Sequence, residues 1–325
     1  MAPRSLLRIG GTIVVALAAA FGAQAQSDFP SRPIRIIAPG GPGTAVDTVA
    51  RTIGDELAKQ LGVAIVIDNR EGAGGILANT AAAKAPPDGH TLVLGSTIMV
   101  SAIQVVNPQP YNPVSDFVPI GRIGEIPMLA LVGTESHIKS WADLVSYTKA
   151  NPGKVNFATA GNGSASHLFT SILHQEFGMN GVFVAYKSTN QALLDVSTNK
   201  TDIYLANFPP AAGLISAGKL KPIGVGSTSR LATLPDVPTF AEMLGKPGYR
   251  VVLWYGLLAP TGTPPAIVNR LSQELAKAAA APLLKTRMEA AGGIVSVASG
   301  KEMHDQVVSD NTRFASIVKE LGLVK

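Results

Sequence analysis

The chain has no cysteine in its 325 residues. That excludes disulfide bonds, a thiolate metal ligand and a cysteine nucleophile. It also excludes the acylated cysteine of a lipoprotein anchor. No run of five or more Lys/Arg occurs, and the formal net charge is only +5, so a nucleic-acid surface is not expected. No G-x-S-x-G elbow and no H-E-x-x-H zinc motif is present. The first lysine is Lys59, which leaves the early glycine-rich loop without the lysine a P-loop requires. These absences remove the common hydrolase, metalloprotease and NTPase readings, and no cofactor is expected.

What is present begins with a leader. Arg4 and Arg8 precede an uncharged apolar run, Ile9 to Phe21, and then the small-residue pattern Ala23-Gln24-Ala25. A basic start, an apolar centre and an A-x-A site define a secretory signal peptide, with cleavage expected after Ala25. The run is shorter than the ~20 residues a membrane-spanning helix needs. Residues 1–25 are therefore assigned as the leader and 26–325 as the periplasmic protein. The two leader arginines carry two of the five net charges.

Downstream, short β-branched runs alternate with helical patterns, which implies parallel strands joined by crossover helices. Ile34 to Ala38, Ala64 to Asp68 and Thr91 to Gly95 read as strands. Asp47 to Leu61 places Val49, Ile53 and Leu57 on one helical stripe, and Gly74 to Lys84 reads as a second helix. A second unit has strands at Val155–Thr159, Val182–Tyr186, Asp202–Ala206 and Pro222–Gly226, with helices at Trp141–Ala150, Ser164–Phe177, Asn190–Thr198 and Pro210–Ala217. Capping-box spacing marks Ser140/Asp143, Ser188/Gln191 and Ser299/Glu302. Helices are expected over 265–280, opened by Pro264-Pro265, and over 301–321.

Two long apolar stretches, Phe117 to Val132 and Arg250 to Ala259, bracket the second unit. The first is too long for one ordinary strand. We read both as hinge segments between two α/β domains around a ligand cleft, with two sequential domains joined by one linker as the alternative. Domain 1 is discontinuous, 26–125 with 251–325, and domain 2 is 126–250.

The candidate chemistry lies in two loops. Pro39-Gly40-Gly41-Pro42-Gly43-Thr44 connects the first strand to the first helix, with Thr44 as N-cap and Asp47 at the box position. Glycines let backbone N–H groups approach a ligand, and the helix N-terminus favours an anion. A dinucleotide fingerprint would need a third glycine where Val46 stands. In the second unit, Thr159-Ala160-Gly161-Asn162-Gly163-Ser164 repeats the strand-loop-helix placement. Open α/β sheets bind ligands at the carboxyl ends of their strands. The candidate ligand-binding residues are therefore Gly40, Gly41, Gly43, Thr44, Asp47, Ser96, Thr97, Thr159, Gly161, Gly163, Ser164 and Asn207. The five histidines, His90, His137, His167, His174 and His304, are read as packing or capping groups, because no carboxylate stands at ligand spacing between His167 and His174.

The chain resembles the substrate-binding subunits of tripartite tricarboxylate transporters, the Bug or TctC family. The blocks that carry the resemblance are Phe29-Pro30-Ser31-Arg32-Pro33-Ile34, the Gly-rich loop with Asp47 and Ala50-Arg51, and Asp68-Asn69-Arg70 with Gly74-Gly75. Pro87-Asp88-Gly89-His90-Thr91-Leu92, Gly161-Asn162-Gly163-Ser164 with His167-Leu168, Tyr186-Lys187, Ala217-Gly218-Lys219-Leu220 and Leu234-Pro235-Asp236-Val237-Pro238-Thr239 complete the set. The resemblance implies a monomeric, non-enzymatic periplasmic binding protein that holds a carboxylate through backbone amides and water, and works with two membrane subunits. A periplasmic sensor presenting the same ligand to a signalling receptor is the alternative. Two departures bear on the ligand. Gly40 and Gly41 stand where the family usually has an aromatic and a proline, which implies a roomier entrance. Ala206, followed by Asn207, stands where some members place an aspartate that receives an amino group, so a plain carboxylate is expected over an amino acid.

Overall fold

The computed structural model describes residues 29–42, 44–72, 75–100, 109–162, 164–320 and 322. The leader and its cleavage site, Gly43 and Gly163 lie outside the described residues.

Ile34–Ala38 (β1), Ala45–Leu61 (α1), Ile65–Asn69 (β2), Ile76–Ala83 (α2) and Thr91–Ser96 (β3) form the first unit, with β1 parallel to both β2 and β3. The helix α1 forms where its pattern predicts, for local reasons. Thr44 Oγ1 accepts from the Asp47 N–H at its start, Lys59 lies in the last turn, and Gly62 ends it at φ 69°. A left-handed residue there costs a glycine nothing sterically. Val49, Ile53 and Leu57 are buried against the sheet, and burying each such side chain stabilises by ~1.5–3 kcal/mol.

The apolar stretch after residue 116 is one strand, Phe117–Gly133 (β4), 17 residues long. Its length makes sense because it belongs to two sheets in succession. The second unit follows: Trp141–Ala150 (α3), Asn156–Thr159 (β5), Ala165–Phe177 (α4), Val182–Ala185 (β6), Thr189–Ser197 (α5), Ile203–Asn207 (β7), Phe208–Ser216 (α6), Leu220–Val225 (β8) and Phe240–Leu244 (α7). The chain then returns through Val252–Pro260 (β9), Pro265–Ala279 (α8), Pro282–Ala290 (α9), Ile294–Ser299 (β10) and Gly300–Glu320 (α10). The sequence reading did not foresee α7, α9 or β10.

One sheet runs β2-β1-β3-β9-β4-β10 and the other β6-β5-β7-β4-β8. Residues 117–127 of β4 pair with β9, and residues 128–133 pair with β7 and β8 on opposite edges. The register shifts between Pro119 and Gly121 and again between Arg122 and Gly124, bulges that bend and twist a strand. At the changeover three backbone bonds close a triangle: Met128 N–H to Val251 O at 3.0 Å, Gly226 N–H to Met128 O at 2.8 Å, and Val251 N–H to Gly226 O at 2.9 Å. A Cβ on Gly226 would stand 1.9 Å from the Val251 carbonyl oxygen. Beside this point Glu125 is buried between Arg122 at 2.9 Å and Arg250 at 2.8 Å.

Candidate functional site

Strand direction decides where the two candidate loops lie. β3 and β4 both run antiparallel to β9, so β1, β2 and β3 point the same way as β4, toward residues 127–128. In the second sheet β7 is antiparallel to β4 and parallel to β5, and Asn207 at its end is opposite Met128. The parallel strands of both sheets therefore end facing the same junction. Carboxyl ends of open sheets are where loops and helix N-termini present free N–H groups.

The two loops fold alike. In the first, the Thr44 N–H donates to Gly41 O at 3.3 Å and the Asp47 N–H donates to Thr44 Oγ1 at 3.3 Å. In the second, the Ser164 N–H donates to Gly161 O at 3.2 Å and the His167 N–H donates to Ser164 Oγ at 3.3 Å. Each is a tight turn feeding an N-capped helix of 13 residues or more.

A cavity of about 370 Å³ opens at the first loop, lined by Pro39, Gly40, Gly41, Thr44, Val46, Glu71, Gly72, Gly75, Asn79, Ser96 and Met99. That is in the size range of small-molecule sites. It brings together Gly40, Gly41, Thr44 and Ser96 of the expected set. No lysine, arginine or histidine is among the described residues that line it, so an anion placed there would be met by backbone N–H groups and the α1 terminus.

Asp47 holds the loop from behind rather than lining the cavity. It is 3% exposed; Arg51 Nε donates to one carboxylate oxygen at 2.9 Å and Asn69 Nδ2 to the other at 2.9 Å. The Arg51 guanidinium is held above its ordinary pKa, first by that hydrogen bond and then by the Asp47 charge. Asn69 Nδ2 also donates to Gly40 O at 2.8 Å. Thr97 is likewise occupied: its hydroxyl accepts from the Trp254 N–H at 2.9 Å and faces Val252 O at 3.4 Å, fastening β3 to β9.

On the second-domain side, Thr159 is fully buried at the end of β5 and its hydroxyl has no hydrogen-bond partner among the described residues. Gly161 sits at φ 102°, which favours glycine. Ser166 Oγ accepts from the Ala160 N–H at 2.9 Å and lies 3.0 Å from Ser164 Oγ, which fixes the loop's exit. Asn207 Nδ2 lies 3.3 Å from Met128 Sδ. Thr159, Gly161, Ser164 and Asn207 do not line the first-loop cavity.

Sequence reasoning missed Glu71, Asn79 and Met99 as lining residues and Asn69 as a support. Asn69 stood in one of the recognised blocks, but its role depends on reaching across from β2 to β1's loop. His167 and His174 pack against Phe183, and His174 also against Phe157, in keeping with a packing role. Among the described residues no cluster of three His, Asp or Glu could hold a metal, and no helix is long and apolar enough to cross a membrane.

Two α/β domains, joined through shared and adjacent strands, with ligand-type loops facing the junction, define a periplasmic-type solute-binding protein. The chain belongs to the tripartite tricarboxylate transporter family of receptors, whose pattern matches residues 49–323. It is 34% identical over 301 residues to the "UPF0065 protein in tcbD-tcbE intergenic region" of Pseudomonas sp. (strain P51), covering 93% of this chain and 90% of that one. Among solved structures it is similar to an R. palustris protein with adipate, at 30% identity and TM-score 0.72, covering 91% of this chain and 99% of the other. It is also similar to MatC from Rhodopseudomonas palustris with bound malate, at 32% identity and TM-score 0.69, covering 89% and 100%.

Proposed function

We propose that the chain is an exported receptor that captures a small organic carboxylate in the cleft and delivers it to the membrane subunits of a tripartite transporter, without chemical turnover. The observation that carries this reading is the duplicated turn, Gly41 to Thr44 and Gly161 to Ser164, at the facing ends of two sheets. On the first side, Gly40 and Gly41 offer backbone donors and Ser96 a hydroxyl, while Thr44, with both its N–H and its hydroxyl bonded to Gly41 O, shapes the turn together with Asp47 and Asn69. On the second, Thr159, Gly161, Ser164 and Asn207 complete the cleft. Gly43 and Gly163 join them on the sequence pattern alone. Related proteins solved with adipate and with malate support a carboxylate as ligand.

The domain limits belong to the same reading: 26–125 with 251–325, and 126–250, with cleavage after Ala25. β4 passes from one sheet to the other at 127–128, close to the proposed 125/126 limit. A thermal-shift screen of the mature chain against small carboxylates tests the function, since a ligand at 100 times its Kd adds ~2.7 kcal/mol of stability. A screen of mono-, di- and tricarboxylates that raised no Tm would overturn it. Capture of membrane subunits from solubilised membranes tests the transporter partnership separately.

A further inference from the structure

The first-loop cavity is lined by one charged side chain among the described residues, and that side chain is an acid. Glu71 lies in the β2–α2 loop, and its Oε2 stands 2.8 Å from where a Cβ on Gly41 would be. Its carboxylate thus covers the Gly41 backbone at the mouth of an otherwise backbone-built anion site. It makes no hydrogen bond or ion pair with any described residue. The charge of Asp47, by contrast, is matched by Arg51 at 2.9 Å; among the described residues no such cation answers Glu71.

A second acceptor lies in the same wall. Asn79 is 2% exposed and lines the cavity. Its Nδ2 donates to Tyr111 Oη at 2.9 Å, while its Oδ1 is buried with no partner among the described residues. Tyr111 fixes that orientation, because its hydroxyl is directed to Met99 O at 3.4 Å and so offers Asn79 a lone pair rather than a proton. Burial pushes the Tyr111 hydroxyl up to about 12, which keeps that proton in place. A buried acceptor left unmatched is costly, so a donor from ligand or water is called for.

Resting on the carboxylate reading above, we infer that the ligand carries a protonated nitrogen as well as its carboxylate, and that Glu71 is the residue that selects it. A second carboxylate at that end would meet an unpaired like charge with no side-chain cation to offset it. An ammonium or ring N–H would meet a charge-assisted acceptor instead. This reverses the expectation drawn from Ala206: the second domain lacks the acid, and the first domain supplies one at Glu71.

Two matched probe sets test this by calorimetric titration of the mature chain: succinate, 3-aminopropanoate and propanoate, then terephthalate, 4-(aminomethyl)benzoate and benzoate. The wild-type chain is expected to bind the amino member of a set about ten- to a hundredfold more tightly than the dicarboxylate. Glu71→Gln should erase that preference, weakening the amino member and strengthening the dicarboxylate. A dicarboxylate preference in the wild type with the ranking unchanged in Glu71→Gln would overturn the inference and leave the carboxylate reading standing. An amino preference that survives Glu71→Gln would overturn the assignment to Glu71. Binding of neither set would overturn the inference and count against the carboxylate reading as well.

Discussion

Thr44 and Ser164, 120 positions apart in the sequence, occupy the same place in two copies of one turn. Each backbone N–H donates three residues back, to Gly41 O at 3.3 Å and Gly161 O at 3.2 Å, and each hydroxyl accepts from three residues on, at 3.3 Å in both. The hydroxyls are thus committed to shaping the helix start, which under the proposed function leaves the backbone around them to meet a ligand.

Thr44→Ala and Ser164→Ala should therefore behave alike. Losing an N-cap costs ~0.5–2 kcal/mol of stability, and affinity for a carboxylate ligand should fall by roughly ten- to a hundredfold at most. Titration and thermal melts of the two variants check both numbers. Abolished binding in a folded Ser164→Ala protein would mean that side chains, not backbone, carry the site.

Asn69→Ala should weaken binding without touching the ligand. The change removes the Asn69 donor from Gly40 O and from one Asp47 oxygen, a loss of ~1–3 kcal/mol where those groups stay buried. The expected result is a lowered Tm together with an affinity loss at least as large as that of Thr44→Ala. Unaltered affinity would show that the first loop does not need this brace.

Gly226→Ala and Gly213→Ala should move stability in opposite directions. At Gly226 the new methyl must displace the Val251 carbonyl and break the triangle of bonds at the domain changeover, which as an overpacking event costs ~1–3 kcal/mol. Gly213 lies in α6 with nothing within 4 Å of the new Cβ, so alanine there should stabilise by ~0.5–1 kcal/mol. Urea unfolding of both variants reads the sign directly.

His174 should make the protein acid-sensitive in a defined window. Burial among aromatic rings, with a smaller contribution from His167, holds its pKa down to about 4 from 6.5. A folded-state value below the unfolded one means that this stability is fully present above pH 6.5 and drains away as pH falls toward 4, at up to ~1.4 kcal/mol per pH unit. Denaturant melts between pH 4 and 8 should show that slope, and His174→Phe should flatten it. An identical slope in the variant would place the acid sensitivity elsewhere.

Local chemistry explains how much of this could be read from residues alone. Val49, Ile53 and Leu57 announce α1, and Ser164 before Ala165–Phe177 announces α4, because helix periodicity and capping are short-range signals. β10 was not legible: Ile294–Ser299 becomes a strand by pairing antiparallel with Gly121–Glu125, a partner some 170 residues away. β4 was legible as a long apolar stretch but not as a single strand, since its continuity depends on two different sets of neighbours. In the candidate site, the glycine loops stand out in the sequence through their turn chemistry. Glu71 and Asn79 did not, because only the folding of β2 and α2 around β1 brings them to the same wall.

The shared strand has a mechanical meaning. Two bodies connected by a flexible tether can meet in many orientations, whereas bodies cut from one ribbon inherit each other's direction. Here the ribbon is β4, clamped by β9 before the changeover and by β7 and β8 after it. Any opening or closing of the cleft would then be a change in how far one ladder is twisted and bent. Like the two leaves of a piano hinge, two domains sharing a strand would return to the same alignment after each swing, and under the proposed function the glycine turns would meet a captured anion in the same geometry every time.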